Sequence, residues 1–291
     1  SNIMKKIFII CGIAGLLMGK IYAQQNYVYT RPGLFTFITN IPGDMQEYSR
    51  QTFKKENIWG FTAMALSTGL MIYYDDKLLD ASNKLSDQWG WSEQTNWRME
   101  HIGDGYLQLY VTSSLVGYGL WYNDNRALQS ASQIFESVFA AGTVVQLLKH
   151  ITGRESPFVR TTPTGKWDFF PNQVDYHHRV PEFDAFPSGH ISSIMAMVVV
   201  LSENYPEYTF IKPLGYFAVG LNAIGMMNTG VHWISDYPLG IALGYSFAKI
   251  AVQKGRTPIT ESPDIKSTSS LSILPVFTES GNFALHVSLS F

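Results

Sequence analysis

The chain has 291 residues, 46% of them hydrophobic and 15% charged, with a net charge of -2. About 25% charged is usual, so the chain is apolar for its length, and its near-neutral balance excludes a nucleic acid as an electrostatic partner. Plentiful apolar residues exclude disorder over most of the length, and the length suits one large domain or two small ones.

Ser1 to Ile3 precede Met4 and read as a tag remnant. From Met4 the pattern is that of a signal peptide, with basic Lys5 and Lys6, an apolar stretch from Ile7 to Gly19, and a cleavage position after Ala23. Residues 1–23 are therefore expected to direct export to the bacterial cell envelope, leaving a periplasmic or membrane-associated protein. The one cysteine, Cys11, lies in that segment. The mature chain is then expected to have no disulfide, thiolate metal site or cysteine nucleophile.

Residues 24–56 are polar and rich in turn formers (Pro32, Gly33, Pro42, Gly43) and read as an irregular lead-in. Six apolar segments follow, near 57–74, 105–123, 128–149, 190–203, 211–228 and 236–252, and helical spacing fits them better than alternation. They predict an all-α domain over 57–252. The connector from Ile151 to Phe186 is long and aromatic, and reads as an ordered cap over a site. Residues 253–270 read as a linker, and 271–291 as a C-terminal β-hairpin. Uncharged windows at 57–74, 105–123, 185–202 and 213–235 reach the ~17–25 residues of a membrane span. Six crossings from a basic cytoplasmic start would leave both histidine-bearing connectors inside, so membrane association is expected without six spans.

The chemistry concentrates at three junctions. Pro187-Ser188-Gly189-His190 opens an apolar run, where unpaired helix N–H groups and the Ser188 hydroxyl suit an anion. Read alone, the turn is equally an ordinary helix cap. His232 and Asp236 stand four apart, on one face of a helical turn, so the carboxylate can orient the imidazole. Pro238 requires that turn to begin close to His232 or to be kinked. Lys149 ends the third apolar segment, with Arg154 and Pro157 beyond it. A lysine and an arginine at a helix end suit a phosphate cradle, and also the helix dipole.

In this order, Lys149, then Pro187-Ser-Gly-His190, then His232-x-x-x-Asp236, the chain resembles the type 2 phosphatidic acid phosphatase superfamily over residues 57–252. That group includes lipid phosphatases, class A acid phosphatases and vanadium haloperoxidases. The resemblance implies a six-helix bundle that hydrolyses a phosphomonoester or pyrophosphate, of a lipid by preference, without metal or cofactor. His232 would be the nucleophile, oriented by Asp236, and His190 the acid and then the base. Lys149, Ser188 and the Gly189 amide would bind phosphate.

Two positions depart from the family pattern. Its phosphate-clamping arginines fall on Ser156 and, in the Ser-Arg pair of the third motif, on Gly225-Met226. Arg154 is the expected substitute, with Arg160, Lys166 and Arg179 on the cap and Asn228 as a neutral donor. His177-His178 reads as a polar loop pair, and no metal site is expected. If a guanidinium reaches the His190–His232 pocket, a phosphatase follows. If none does, a phosphate- or lipid-binding or envelope scaffold protein is favoured, and haloperoxidase chemistry would need the same clamp.

Overall fold

The computed structural model describes residues 27–259, 270–277 and 283–290. The expected signal peptide and most of the expected linker lie outside these residues. The fold is mostly helical. A strand, Tyr27–Tyr29 (β1), leads into helices Thr36–Thr39 (α1) and Ile41–Thr52 (α2). Then come Ile58–Gln88 (α3), Glu93–Glu100 (α4), Tyr106–Tyr122 (α5) and Asn125–Thr152 (α6). Gln173–His178 (α7), Gly189–Asn204 (α8), Ile211–Asn228 (α9) and Tyr237–Lys254 (α10) complete the helices, and Arg256–Pro258 (β2) follows. The six expected apolar segments are α3, α5, α6, α8, α9 and α10.

The lead-in differs from expectation: residues 36–39 and 41–52 are helical, not irregular. Pro42 sits in the first turn of α2, where its missing N–H costs nothing. Ile41, Met45 and Tyr48 then form an i, i+4, i+7 stripe against the core of α6 and α10, with Tyr48 stacked on Phe247 at 4.6 Å. Asn40 donates to Glu136 at 2.9 Å, and Lys254 pairs with Asp44.

Three clusters make the core. Ile134 of α6 packs with Met195, Val199 and Val200 of α8 and with Val252 of α10. Val145 joins Leu243 and Phe247, and Leu79 of α3 joins Ile191, Met226 and Trp233. Gly240 lets α10 come close: a Cβ there would lie 2.6 Å from the Ser188 carbonyl oxygen. The residues of two loops are thereby brought together, because the Ser188 N–H donates to the Asp236 carbonyl at 3.0 Å.

Among the described residues one helix, Asn125–Thr152, is long and apolar enough to cross a membrane. This is not one of the four windows expected from the sequence. Its Gln133 and Glu136 are buried within the bundle. The C-terminal unit is a separate antiparallel hairpin, Ser270–Phe277 (β3) with Phe283–Ser290 (β4), in register from Ser270 opposite Ser290 to Phe277 opposite Phe283.

Candidate functional site

The segment before α8 turns at a cis Phe186–Pro187 bond, and Ser188 caps the helix by accepting from the Ile191 N–H at 3.4 Å. His190 follows in the first turn. His232 lies past α9, whose last turn is closed by the Val231 N–H donating to the Met226 carbonyl at 2.9 Å. Residues Ile234–Asp236 then make a 3₁₀ turn, and α10 starts at Tyr237 with Pro238 in its first turn. The position of Pro238 is the one the sequence required.

The two imidazoles face each other edge to face, with ring centroids 5.7 Å apart. His232 is buried, and its Nδ1 lies 3.4 Å from Asp236 Oδ2, a loose contact. That oxygen also accepts the Trp233 N–H at 2.8 Å. Burial holds His232 below the ordinary imidazole value of 6.5, and the Lys149 ammonium and His190 push the same way against the Asp236 carboxylate. The neutral form of the ring is thus favoured. Lys149, also buried, pairs with Asp184 at 3.2 Å.

Arg154 is not available to a phosphate, contrary to expectation. It is wholly buried. Its Nη1 donates to Asp236 Oδ1 at 2.6 Å and to Ser235 at 2.7 Å, and its Nη2 to Asp75 Oδ2 at 2.6 Å and the Thr164 carbonyl at 2.8 Å. The guanidinium also lies over Trp167 and Trp233. Two buried carboxylates demand it, since an unpaired buried charge costs far more than a paired one. Burial pushes Asp75 above the usual carboxylate range, although Arg154 pulls it down.

Arg160, Arg179 and Asn228 are also engaged elsewhere. Arg160 pairs with Asp76 at 3.3 Å. Arg179 pairs with Glu182 at 2.8 Å and is half exposed. Asn228 donates to Asn96 at 3.0 Å and accepts from Ser82 at 2.6 Å, on a groove of about 580 Å³ that it lines with Trp97. The structure therefore brings together His190, His232, Asp236, Lys149, Ser188 and Gly189, but places no bond from these three arginines or Asn228 within that set, apart from Arg154 on Asp236.

The connector packs against the bundle. Arg154 bridges backbone to Trp167 and Asp184, Trp233 donates to the Glu155 carbonyl at 2.8 Å, and Tyr176 and Phe183 are buried. Among the described residues no group of three or more His, Cys, Asp or Glu is placed to hold a metal.

Two acids escaped the sequence reading. Asp75 sits mid-helix in α3, 79 positions from Arg154, and carries no local signal. Asp104 accepts from His190 Nε2 at 2.8 Å, and its other oxygen lies 3.2 Å from His101 Nε2. Gly103 and Gly105 around it were the available hint, because they flank a single acidic residue at a helix start.

The candidate site thus has facing imidazoles, each beside a carboxylate, at a helix N-terminus with one lysine. Residues 130–258 match the family model of the PAP2 superfamily, a stretch that holds Lys149, Pro187–His190, His232 and Asp236. Among solved structures, the chain is similar to the crystal structure of a transmembrane PAP2 type phosphatidylglycerolphosphate phosphatase from Bacillus subtilis. That match has 13% identity and a TM-score of 0.46, covering 66% of this chain and 94% of that one. No curated protein matches the chain significantly.

Proposed function

We propose that the protein is a metal-independent phosphatase acting on a phosphomonoester or pyrophosphate, a lipid phosphate by preference. The observation that carries this is the pair of facing imidazoles, with His232 kept neutral and held against Asp236. His232 Nε2 attacks phosphorus as the bond to the leaving oxygen breaks, and His190 gives that oxygen a proton. Water then attacks the phosphohistidine, His190 takes its proton, and the P–N electron pair returns to His232. Lys149, Ser188 and the N–H groups at the start of α8 would hold the equatorial oxygens.

Membrane association is part of this reading. It is supported by large apolar side chains exposed along α3 and α5, among them Trp59, Leu66, Leu70, Tyr110 and Trp121. Such an exposed surface suits an amphiphilic substrate. A cell-envelope location rests on the N-terminal signal pattern.

A second reading, a phosphate- or lipid-binding or scaffold protein, is favoured by one observation: Arg154, Arg160 and Arg179 are all paired with carboxylates. Losing one transition-state donor typically costs about 2.7–4 kcal/mol, and two family positions lack theirs. The deciding experiment measures phosphate release from an aryl phosphate and a lipid phosphate, without metal, for the full chain and His232→Ala. Turnover abolished by the substitution is expected. Equal turnover in the variant sinks the phosphohistidine route, and no turnover by folded wild type on either ester favours the binder.

A further inference from the structure

The α4–α5 corner is built against His190. Asn222 of α9 donates to the Met99 carbonyl at 3.0 Å, and Ser193 of α8 donates to the Gly103 carbonyl at 3.1 Å. Gln108 in turn donates to Ser193 at 3.1 Å. Gly103 permits the approach, since a Cβ there would lie 2.6 Å from His190 Cβ. Gly105 turns the chain at φ +91° into α5. Between these two glycines, Asp104 is the side chain presented to the ring.

The carboxylate is held from both sides. His190 Nε2 donates to Oδ1 at 2.8 Å, and His101 Nε2 lies 3.2 Å from Oδ2, while His101 Nδ1 is tied to the Trp97 carbonyl at 2.8 Å. The His190 bond is the main cause holding Asp104 below the usual carboxylate range, so it is an anion that accepts and does not donate. The other ring facing His190 is His232, and Asp104 is the carboxylate in contact with His190 among the described residues.

We propose that Asp104 is a positioning residue for His190: it holds the Nε2–H, so that Nδ1 is the nitrogen that gives a proton to the leaving oxygen and later takes one from water. The inference rests on the phosphatase reading and deepens it. A carboxylate that fixes one tautomer of an acid–base histidine acts only where proton transfer limits the step. A leaving group that departs as a stable anion needs little help from the proton.

The test compares full-length wild type, Asp104→Asn and Asp104→Ala on 4-nitrophenyl phosphate and on a simple alkyl phosphate. The expected loss on the alkyl ester exceeds that on the nitrophenyl ester by about tenfold or more, within the ~10²–10⁴ that general acid catalysis contributes. Equal losses on the two esters overturn the proposal. A second readout needs no turnover. In ¹⁵N-histidine spectra of the wild type, the His190 signals, assigned with His190→Gln, should show neutral His190 protonated at Nε2. Protonation at Nδ1 overturns the proposal. If wild type hydrolyses neither ester, the phosphatase reading fails, and the spectrum still decides the Asp104 contact.

Discussion

Arg154 carries the largest single electrostatic load in the described fold. Its guanidinium bridges Asp75 on α3 and Asp236 at the start of α10, all three fully buried. Removing one partner of a buried pair typically costs about 3–5 kcal/mol, because the remaining charge is stranded. Arg154→Met is expected to lose that much in chemical denaturation. A loss under about 1 kcal/mol would show that the carboxylates find other partners. His232 sets a pH limit of a different kind. Burial lowers its proton affinity below 6.5, so the folded ring stays neutral where the unfolded one is charged. The unfolded chain then binds the extra proton, and stability falls as pH drops below 6.5. The acid limb of turnover from this group should likewise lie below pH 6.5. A limb centred above 6.5, abolished by no other substitution, would contradict the burial argument.

At the scale of elements, α2 and α10 are joined to α6 through a second buried acid. Burial, reinforced by Asp44 and opposed by the Asn40 hydrogen bond, pushes Glu136 up to about 8. The folded state therefore keeps a proton that the unfolded state loses near 4.5, and this contribution to stability declines as pH rises from about 4.5 to about 8. Glu136→Gln should flatten the fall in thermal midpoint between pH 5 and pH 9. An unchanged slope would place the titration elsewhere. Gly240 tests the α8–α10 crossing. Alanine there meets the Ser188 carbonyl, and overpacking of this kind costs about 1–3 kcal/mol. Gly240→Ala should lose stability in that range by denaturant titration. A neutral result would mean that the two helices can separate without cost.

Across the whole molecule, the long helices and the six residues of the candidate pocket were legible because their signals are local: apolar spacing, a capped turn, a four-residue His–Asp interval. Pro238 even placed the start of α10. What stayed hidden depends on distance in sequence. Asp75 joins Arg154 across 79 positions, and neither residue looks unusual in its own helix or loop. Asp104 meets His190 across 86. The helical lead-in was masked for another reason: Pro42 and Gly43 read as turn formers, yet both fall in the first turn of α2, where helices tolerate them. Arg154 was expected in the pocket from its proximity to the first motif, whereas two buried carboxylates have a prior claim on it.

The pairing of Lys149 with Asp184 has a consequence for the kind of ligand that fits. The pocket keeps one ammonium, shared with a carboxylate, where the family pattern carries a lysine and two arginines. Such a site is poorly matched to a dianion and better matched to a singly charged phosphoester. Phosphomonoesters lose their second proton near pH 6, so the bound form preferred here is the one that prevails in mild acid. Apparent affinity for phosphate should therefore strengthen, not weaken, as pH falls from 7.5 to 5.5.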